Sequence, residues 1–353
     1  MSPPASTPAE NGDGTAAQAL RQPRMLAIVQ TRYGSADMLH LEEVDRPTIG
    51  DGEVLIRVRS AGLDRGTWHL MEGQAYLIRL MGYGVRRPKS PVPGLDVAGT
   101  VVATGRGVTR FEAGDEVFGI SQGSFAEYAS AREDRLARKP ANVSFDQAAA
   151  LGVSGLTALQ ALRDVGRVGP GQHVLIVGAS GGVGLFAVQI AKAHGAEVTG
   201  VCSTPKIDLV RSIGADHVID YCQEDFASGS RRYDLILDLG GNSPLSRLRR
   251  ALTPRGTLVI VGGEDGGRWT GGVGRQLRAV ALSPFVRQRL RMQVPKYPHI
   301  DLERLAQLTE EGELTPILDN TYALHQTPDA MRHLVAGNAR GKLVITVSGA
   351  TPV

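Results

Sequence analysis

Residues 178–184 read GASGGVG, between the apolar run HVLIVGA and the amphipathic stretch LFAVQIAKAHG. A turn so rich in glycine lets the backbone approach a phosphate closely. A helix starting there offers free N–H groups and the positive end of its dipole to the anion. Gly178, Gly181 and Gly184 carry a G-x-x-G-x-x-G spacing, with Ser180, Gly182 and Val183 completing the turn. The chemistry this supports is binding of a dinucleotide pyrophosphate.

The next apolar run ends VTGVCSTPK. A carboxylate about 20 residues past such a glycine turn bonds the ribose 2′-OH of NAD. Here Cys202 stands in that place, and Ser203, Thr204 and Lys206 follow. No carboxylate at this strand end repels a 2′-phosphate, and a lysine and two hydroxyls can bind one. Tyr221, closing the following run, lies near the adenosine. This pattern favours NADPH over NADH, with an exposed helix-start lysine as the plainer reading of Lys206.

These residues need elements to position them. HVLIVGA, AEVTGVC, HVIDY, YDLILDLG and GTLVIVGG read as strands, and LFAVQIAKAHG, KIDLVRSIGA and SRLRRAL as amphipathic helices between them. Such alternation predicts a doubly wound parallel sheet of α/β class over 150–314. Before it, MLAIVQ, EVLIRVRSAGL (53–63), GLDVAGTVVATG (94–105), GDEVFGI (114–120) and Phe125–Ala129 read as short strands with glycine turns, a β-barrel-like domain over 25–149. FDQAAALGVSGLTALQALRDVG and 301–311 have helical periodicity. The last strand–helix–strand returns over 315–350 to complete the first domain. Residues 1–24 read as a disordered tail.

Composition narrows the class. The chain has 353 residues and a net charge of +3, too small to argue for nucleic acid. No apolar stretch approaches the roughly 18–20 residues that span a bilayer. The two cysteines, Cys202 and Cys222, support neither a disulfide framework nor a four-thiolate zinc site, and a reducing cytoplasm fits.

EVLIRVRSAGLD (53–64), PVPGLDVAGTV (91–101), GDEVFG (114–119), GLTALQAL (155–162), VGPGQHVLIVGASGGVG (168–184), GADHVIDY (214–221) and GKLVITV (341–347) together resemble the zinc-free quinone-oxidoreductase branch of the medium-chain dehydrogenase/reductase superfamily. The insert around RLMGYGVRRPKSPVPG is similar to the reticulon-interacting mitochondrial oxidoreductases and their bacterial relatives. The resemblance implies a GroES-like β-barrel catalytic domain, a Rossmann domain and a nicotinamide cleft between them. It also implies a homodimer and a small hydrophobic, electrophilic substrate.

The zinc alcohol dehydrogenases of that superfamily take metal from an early Cys, a G-H-E motif and a third ligand. Those positions fall here on Asp64, on Gly94-Leu95-Asp96 and near Val153, so no metal site is expected. Without a Lewis acid the acceptor must already be electrophilic: a quinone, or a double bond conjugated to a carbonyl. The resemblance places Asp64, His69 and Tyr76 around it. Asp64 also reads as a helix cap. An unperturbed imidazole titrates near about 6.5, which suits His69 to proton donation. Thr157, Gly262, Gly263, Asn338 and Lys342 carry over as cofactor contacts, although Lys342 equally reads as a surface strand residue. Two stretches, 75–89 with Arg79, Arg86, Arg87 and Lys89, and the Gly-rich then basic 262–294, read as a lid or an interface, and less readily as a membrane contact. The rival readings are a non-catalytic NADPH-binding or redox-sensing protein and, less favoured, a zinc-type alcohol dehydrogenase.

Overall fold

Alternation in EVLIRVRSAG becomes a strand with one face in the core: Val54, Ile56 and Val58 are buried, while Leu55 and Arg57 between them are half-exposed. The computed structural model describes residues 23–73, 76, 79, 84–263 and 273–347. Among these, the first part runs β1 (Arg24–Val29), β2 (His40–Asp45), β3 (Glu53–Gly62), α1 (Arg65–Glu72), β4 (Asp96–Thr104), β5 (Glu116–Ile120), β6 (Tyr128–Arg132), β7 (Leu136–Arg138) and α2 (Phe145–Gln160). β1 begins at Arg24, one residue inside the expected tail, whose first 22 residues lie outside the described ones. The strand expected at Phe125–Ala129 forms three residues later, because Phe125 is held by Pro93 and Ala126 bridges Ala27 before pairing with β3 begins.

The second part runs β8 (His173–Val177), α3 (Gly182–Ala193), β9 (Glu197–Cys202), α4 (Ile207–Ser212), β10 (His217–Asp220), β11 (Tyr233–Asp238), α5 (Leu245–Ala251), β12 (Leu252–Ile260), α6 (Val273–Leu282) and β13 (Arg289–Met292). Six parallel strands form one sheet in the order β10-β9-β8-β11-β12-β13. Strand order reverses between β8 and β11, and the carboxyl ends of those two strands frame the crevice where such sheets bind ligands. Val174, Ile176, Leu235 and Leu237 face one cluster with α2 and α3, and Leu175, Val177, Ile236 and Ile260 the other with α5 and α6, so both faces are covered.

The chain closes with α7 (His299–Glu310), β14 (Leu318–Ala323), α8 (Thr327–Ala336) and β15 (Lys342–Thr346). This end returns to the first sheet: β15 pairs antiparallel with β3 in a mixed sheet ordered β14-β15-β3-β4-β5-β7, with β6 also on β3. The boundary expected at 149/150 falls inside α2. That helix starts in a capping box, Ser144 and Gln147 bonding each other's backbone, and is buried from Ala148 to Gln160 except at the half-buried Val153. It packs on β3, β4 and β5 on one side and on α3 and α7 on the other, so it serves both domains. Among the described residues no helix is long and apolar enough to cross a membrane.

Candidate functional site

The glycine turn is fixed by close backbone packing. Gly178, at φ +90°, leaves β8 in a left-handed conformation, its N–H and that of Ala179 donating to Val201 O. Gly181 N donates back to Gly178 O, and Gly181 caps α3 without any side-chain bond. A Cβ on Gly184 would sit 2.2 Å from Gly178 O, so nothing larger than glycine fits there. The first-turn amides of α3 thus open, uncapped by a side chain, onto the crevice end of β8. This cradle fits a pyrophosphate.

At the far end of β9, Lys206 Nζ donates to Gly337 O at 2.9 Å, and Arg340 donates to Pro205 O. Burial lowers the Lys206 pKa, Asp319 acts against it, and the nearby positive charges of Arg340 and Arg65 lower it further. Three cations therefore converge where a 2′-phosphate was expected. Sequence reasoning found only Lys206; the signal for Arg340 was its place two residues before Lys342. Ser203 is half-exposed beside them and Tyr221 is exposed, its N–H bonded to Cys202 O. Thr204 differs from expectation as a proton donor: its hydroxyl donates to Asp220 Oδ2 at 2.6 Å, which with Cys222 N–H holds the Asp220 carboxyl below the usual range.

Lys342 is not a surface residue. It is 2% exposed, because β15 is flanked by β14 and β3 and its first residue points inward. Its Nζ donates to Leu63 O at 2.8 Å and to Ser154 Oγ at 2.9 Å, and lies 3.6 Å from Asp96 Oδ2. Its stem runs past the start of α3: a Cβ on Gly182 would meet Lys342 Cδ at 3.1 Å. Asp96 is wholly buried. Its Oδ1 accepts from Val153 N at 2.6 Å, and its Oδ2 has no hydrogen-bond partner. Burial, reinforced by the Asp64 charge and opposed by Lys342, pushes the Asp96 carboxyl up to about 7. This buried knot ties β3, β4, β15 and α2 to the glycine helix, and neither Ser154 nor Asp96 was singled out for it from the sequence.

Asp64 caps α1, as one reading expected. Its two oxygens accept from Thr67 N at 2.9 Å and from Thr67 Oγ1 at 2.8 Å, in a buried position. His69, in the last turn of α1, sits with its ring 4.5 Å from that of Trp68. Tyr76 lies under the Arg79 guanidinium, which also covers Tyr33 and donates to Gly73 O at 2.7 Å. Most of 74–83 lies outside the described residues, as does 264–272; Arg86, Arg87 and Lys89 are exposed. Thr157 turns its hydroxyl back to Val153 O, and Asn338 is exposed. Gly262 N donates to Asp238 O at the end of β11. The Asp238 carboxyl, raised by burial, pairs with Arg275.

At the positions of the zinc ligands stand an Asp64 carboxylate already bonded twice, Leu95 and Val153. Among the described residues no three His, Cys, Asp or Glu side chains are grouped to hold a metal ion. This donor set does not fit zinc.

Residues 50–141 match the family described as alcohol dehydrogenase GroES-like domain, and 213–345 the one described as zinc-binding dehydrogenase. The chain is 32% identical to a 2-methylene-furan-3-one reductase of Solanum lycopersicum, over 91% of this chain and 79% of that one. It is 31% identical to the mitochondrial NAD(P)H oxidoreductase RTN4IP1 of Mus musculus, over 95% and 92%. Among solved structures, a quinone oxidoreductase from Coxiella burnetii superposes with a TM-score of 0.82 at 28% identity, covering 92% of this chain and all of that one.

Proposed function

The chain belongs to the quinone-oxidoreductase branch of the medium-chain dehydrogenase/reductase superfamily, and from that membership we propose a zinc-independent, NADPH-dependent reductase of quinones or of double bonds conjugated to a carbonyl. The observation that carries the cofactor choice is the convergence of Lys206, Arg340 and Arg65 at the end of β9. The names of the 2-methylene-furan-3-one reductase and of the solved quinone oxidoreductase support the acceptor classes.

When bound, NADPH supplies the hydride. The turn from Gly178 through Ser180, Gly181, Gly182 and Val183 to Gly184 would hold its pyrophosphate. Lys206 and Arg340 would hold its 2′-phosphate, with Ser203, Thr204 and Tyr221 around the adenosine. Thr157, Gly262, Gly263 and Asn338 would line its ribose and nicotinamide end. Lys342 keeps the start of α3 against the Leu63–Asp64 turn, and so orients the two halves of the cleft. Hydride addition leaves negative charge on the acceptor oxygen, and His69 or Tyr76 would supply the proton that quenches it. Metal independence rests on the donor set at Asp64, Leu95 and Val153. A homodimer and a cytoplasmic location complete the reading.

One observation favours the non-catalytic alternative: both oxygens of Asp64 are spent on Thr67, which leaves Asp64 a positioning role. Steady-state oxidation of NADPH and of NADH, each with an ortho-quinone and with an enone in the presence of a chelator, decides. Fast turnover with NADPH is expected. Faster turnover with NADH would overturn the cofactor assignment, loss of activity to the chelator would overturn metal independence, and tight NADPH binding without turnover would leave the binding-protein reading.

A further inference from the structure

A buried hydroxyl within a helix can turn its hydrogen onto the carbonyl four residues back. Thr157 does so on α2, donating to Val153 O at 2.6 Å, and Thr309 on α7 donates to Leu305 O at 2.8 Å. Ser154, one turn before Thr157 and 2% exposed, does not. Its Oγ accepts from Lys342 Nζ at 2.9 Å. An ammonium only donates. The Ser154 hydrogen therefore points away from Lys342, and among the described residues no oxygen accepts it. Asp96, the carboxylate of the same knot, is not its partner: Asp96 Oδ2 is without a hydrogen bond and Oδ1 accepts from Val153 N. A buried donor without an acceptor is destabilising, and here it marks a place for an oxygen from a ligand.

That place is the opening turn of α3. A Cβ built on Gly182, the first residue of the helix, would meet Ser154 Oγ at 3.4 Å and Lys342 Cδ at 3.1 Å. With glycine there, the space between the turn and the hydroxyl stays open. The helix is twelve residues long and starts without a side-chain cap, since Gly181 has no oxygen to offer its first amides. Those amides and the Ser154 hydroxyl are all donors. What completes such a set is an anion with several oxygens. Lys342 adds to this. Its ammonium is held below the turn by Leu63 O and Ser154 Oγ, at 2% exposure. Accepting from a cation polarises the Ser154 O–H and makes it a stronger donor in turn.

We propose that Ser154 binds the cofactor: its hydroxyl, oriented by Lys342, donates to an oxygen of the pyrophosphate held in the glycine turn. This rests on the NADPH reading above and adds to it a ligand from α2, the helix that both domains share. Lys342 then acts on the anion through Ser154. The test is a nicotinamide-fluorescence titration with NADPH and with NADH, beside a calorimetric titration with adenosine 2′-monophosphate, which carries the 2′-phosphate and no pyrophosphate. Ser154→Ala should weaken NADPH and NADH alike, by at least about tenfold, because a charge-assisted bond is lost. Binding of adenosine 2′-monophosphate should stay as in the wild type. Lys342→Met should also weaken both dinucleotides, and adding Ser154→Ala to it should weaken them by less than about threefold more, because the hydroxyl is then no longer oriented. Wild-type affinity of Ser154→Ala for both dinucleotides would overturn the proposal and leave the cofactor reading standing. An equal loss for adenosine 2′-monophosphate would overturn it in favour of a role in folding alone, and fully additive losses in the double variant would overturn the action of Lys342 through Ser154. A wild-type protein that binds neither dinucleotide would overturn the cofactor reading and this proposal together.

Discussion

Replacing Lys342 by methionine tests the buried knot behind the glycine helix. The substitution keeps the bulk of the stem and removes an ammonium that bonds Leu63 O and Ser154 Oγ and faces Asp96. In the wild type Asp96 titrates near about 7 in the native state, against 3.8 for an unperturbed aspartate. A raised carboxyl binds its proton longer in the folded than in the unfolded chain, so stability falls as pH rises between the two values and is flat above the upper one. Over about three units, at about 1.4 kcal/mol each, the wild type gives up roughly 4 kcal/mol between about pH 4 and 7. Without the ammonium the native pKa rises further, because Lys342 is the strongest influence holding it down. The fall in stability then continues above pH 7. The Lys342→Met penalty should therefore be nearly constant below about pH 6 and grow by about 1.4 kcal/mol per unit above 7, reaching roughly 2–3 kcal/mol more at about pH 9. Urea unfolding of both proteins at about pH 6, 7.5 and 9 measures this. Ser154→Ala, which loses one neutral partner, should cost about 1 kcal/mol at every pH. A Lys342→Met penalty that does not change with pH would refute the coupling of Lys342 to Asp96.

Three further outcomes follow from the site. Lys206→Ala and Arg340→Ala should each raise the KM for NADPH about 10- to 100-fold, leaving kcat and the KM for NADH unchanged, because a charge-assisted bond to the 2′-phosphate is worth about 1.5–3 kcal/mol. Gly184→Ala forces a Cβ onto Gly178 O, and should weaken cofactor binding at least tenfold in a nicotinamide-fluorescence titration; unchanged affinity would mean that the turn does not hold the pyrophosphate. His69→Gln and Tyr76→Phe separate the candidate proton donors: the one that acts should lose about a hundredfold in kcat at saturating NADPH, and retention by both would assign the proton to water.

What was legible in the sequence was what is local. The segment from His173 to Ala193 carries its strand, turn and helix in adjacent residues, and the close approach of Gly184 to Gly178 needs nothing from elsewhere in the chain. β13 was missed because RLRM buries only Leu290 and half-buries Met292, as an edge strand can, so the apolar run that marks an interior strand is absent. β2, HLEEVD, has no buried residue at all and exists only by pairing with β1. Lys342 shows the limit most clearly. Its partners Leu63 and Ser154 are 279 and 188 positions away, and Asp96 sits on a third strand. A lysine opening an apolar strand reads equally as exposed or buried until the neighbours on both sides are known. The same holds at the adenosine end. Lys206 was readable from its place after β9, whereas Arg340 joins it only because the last strand folds back past Pro205. The proposed choice of NADPH rests on that long-range charge convergence and not on the glycine turn alone, and the Lys206 and Arg340 variants test it separately from the turn.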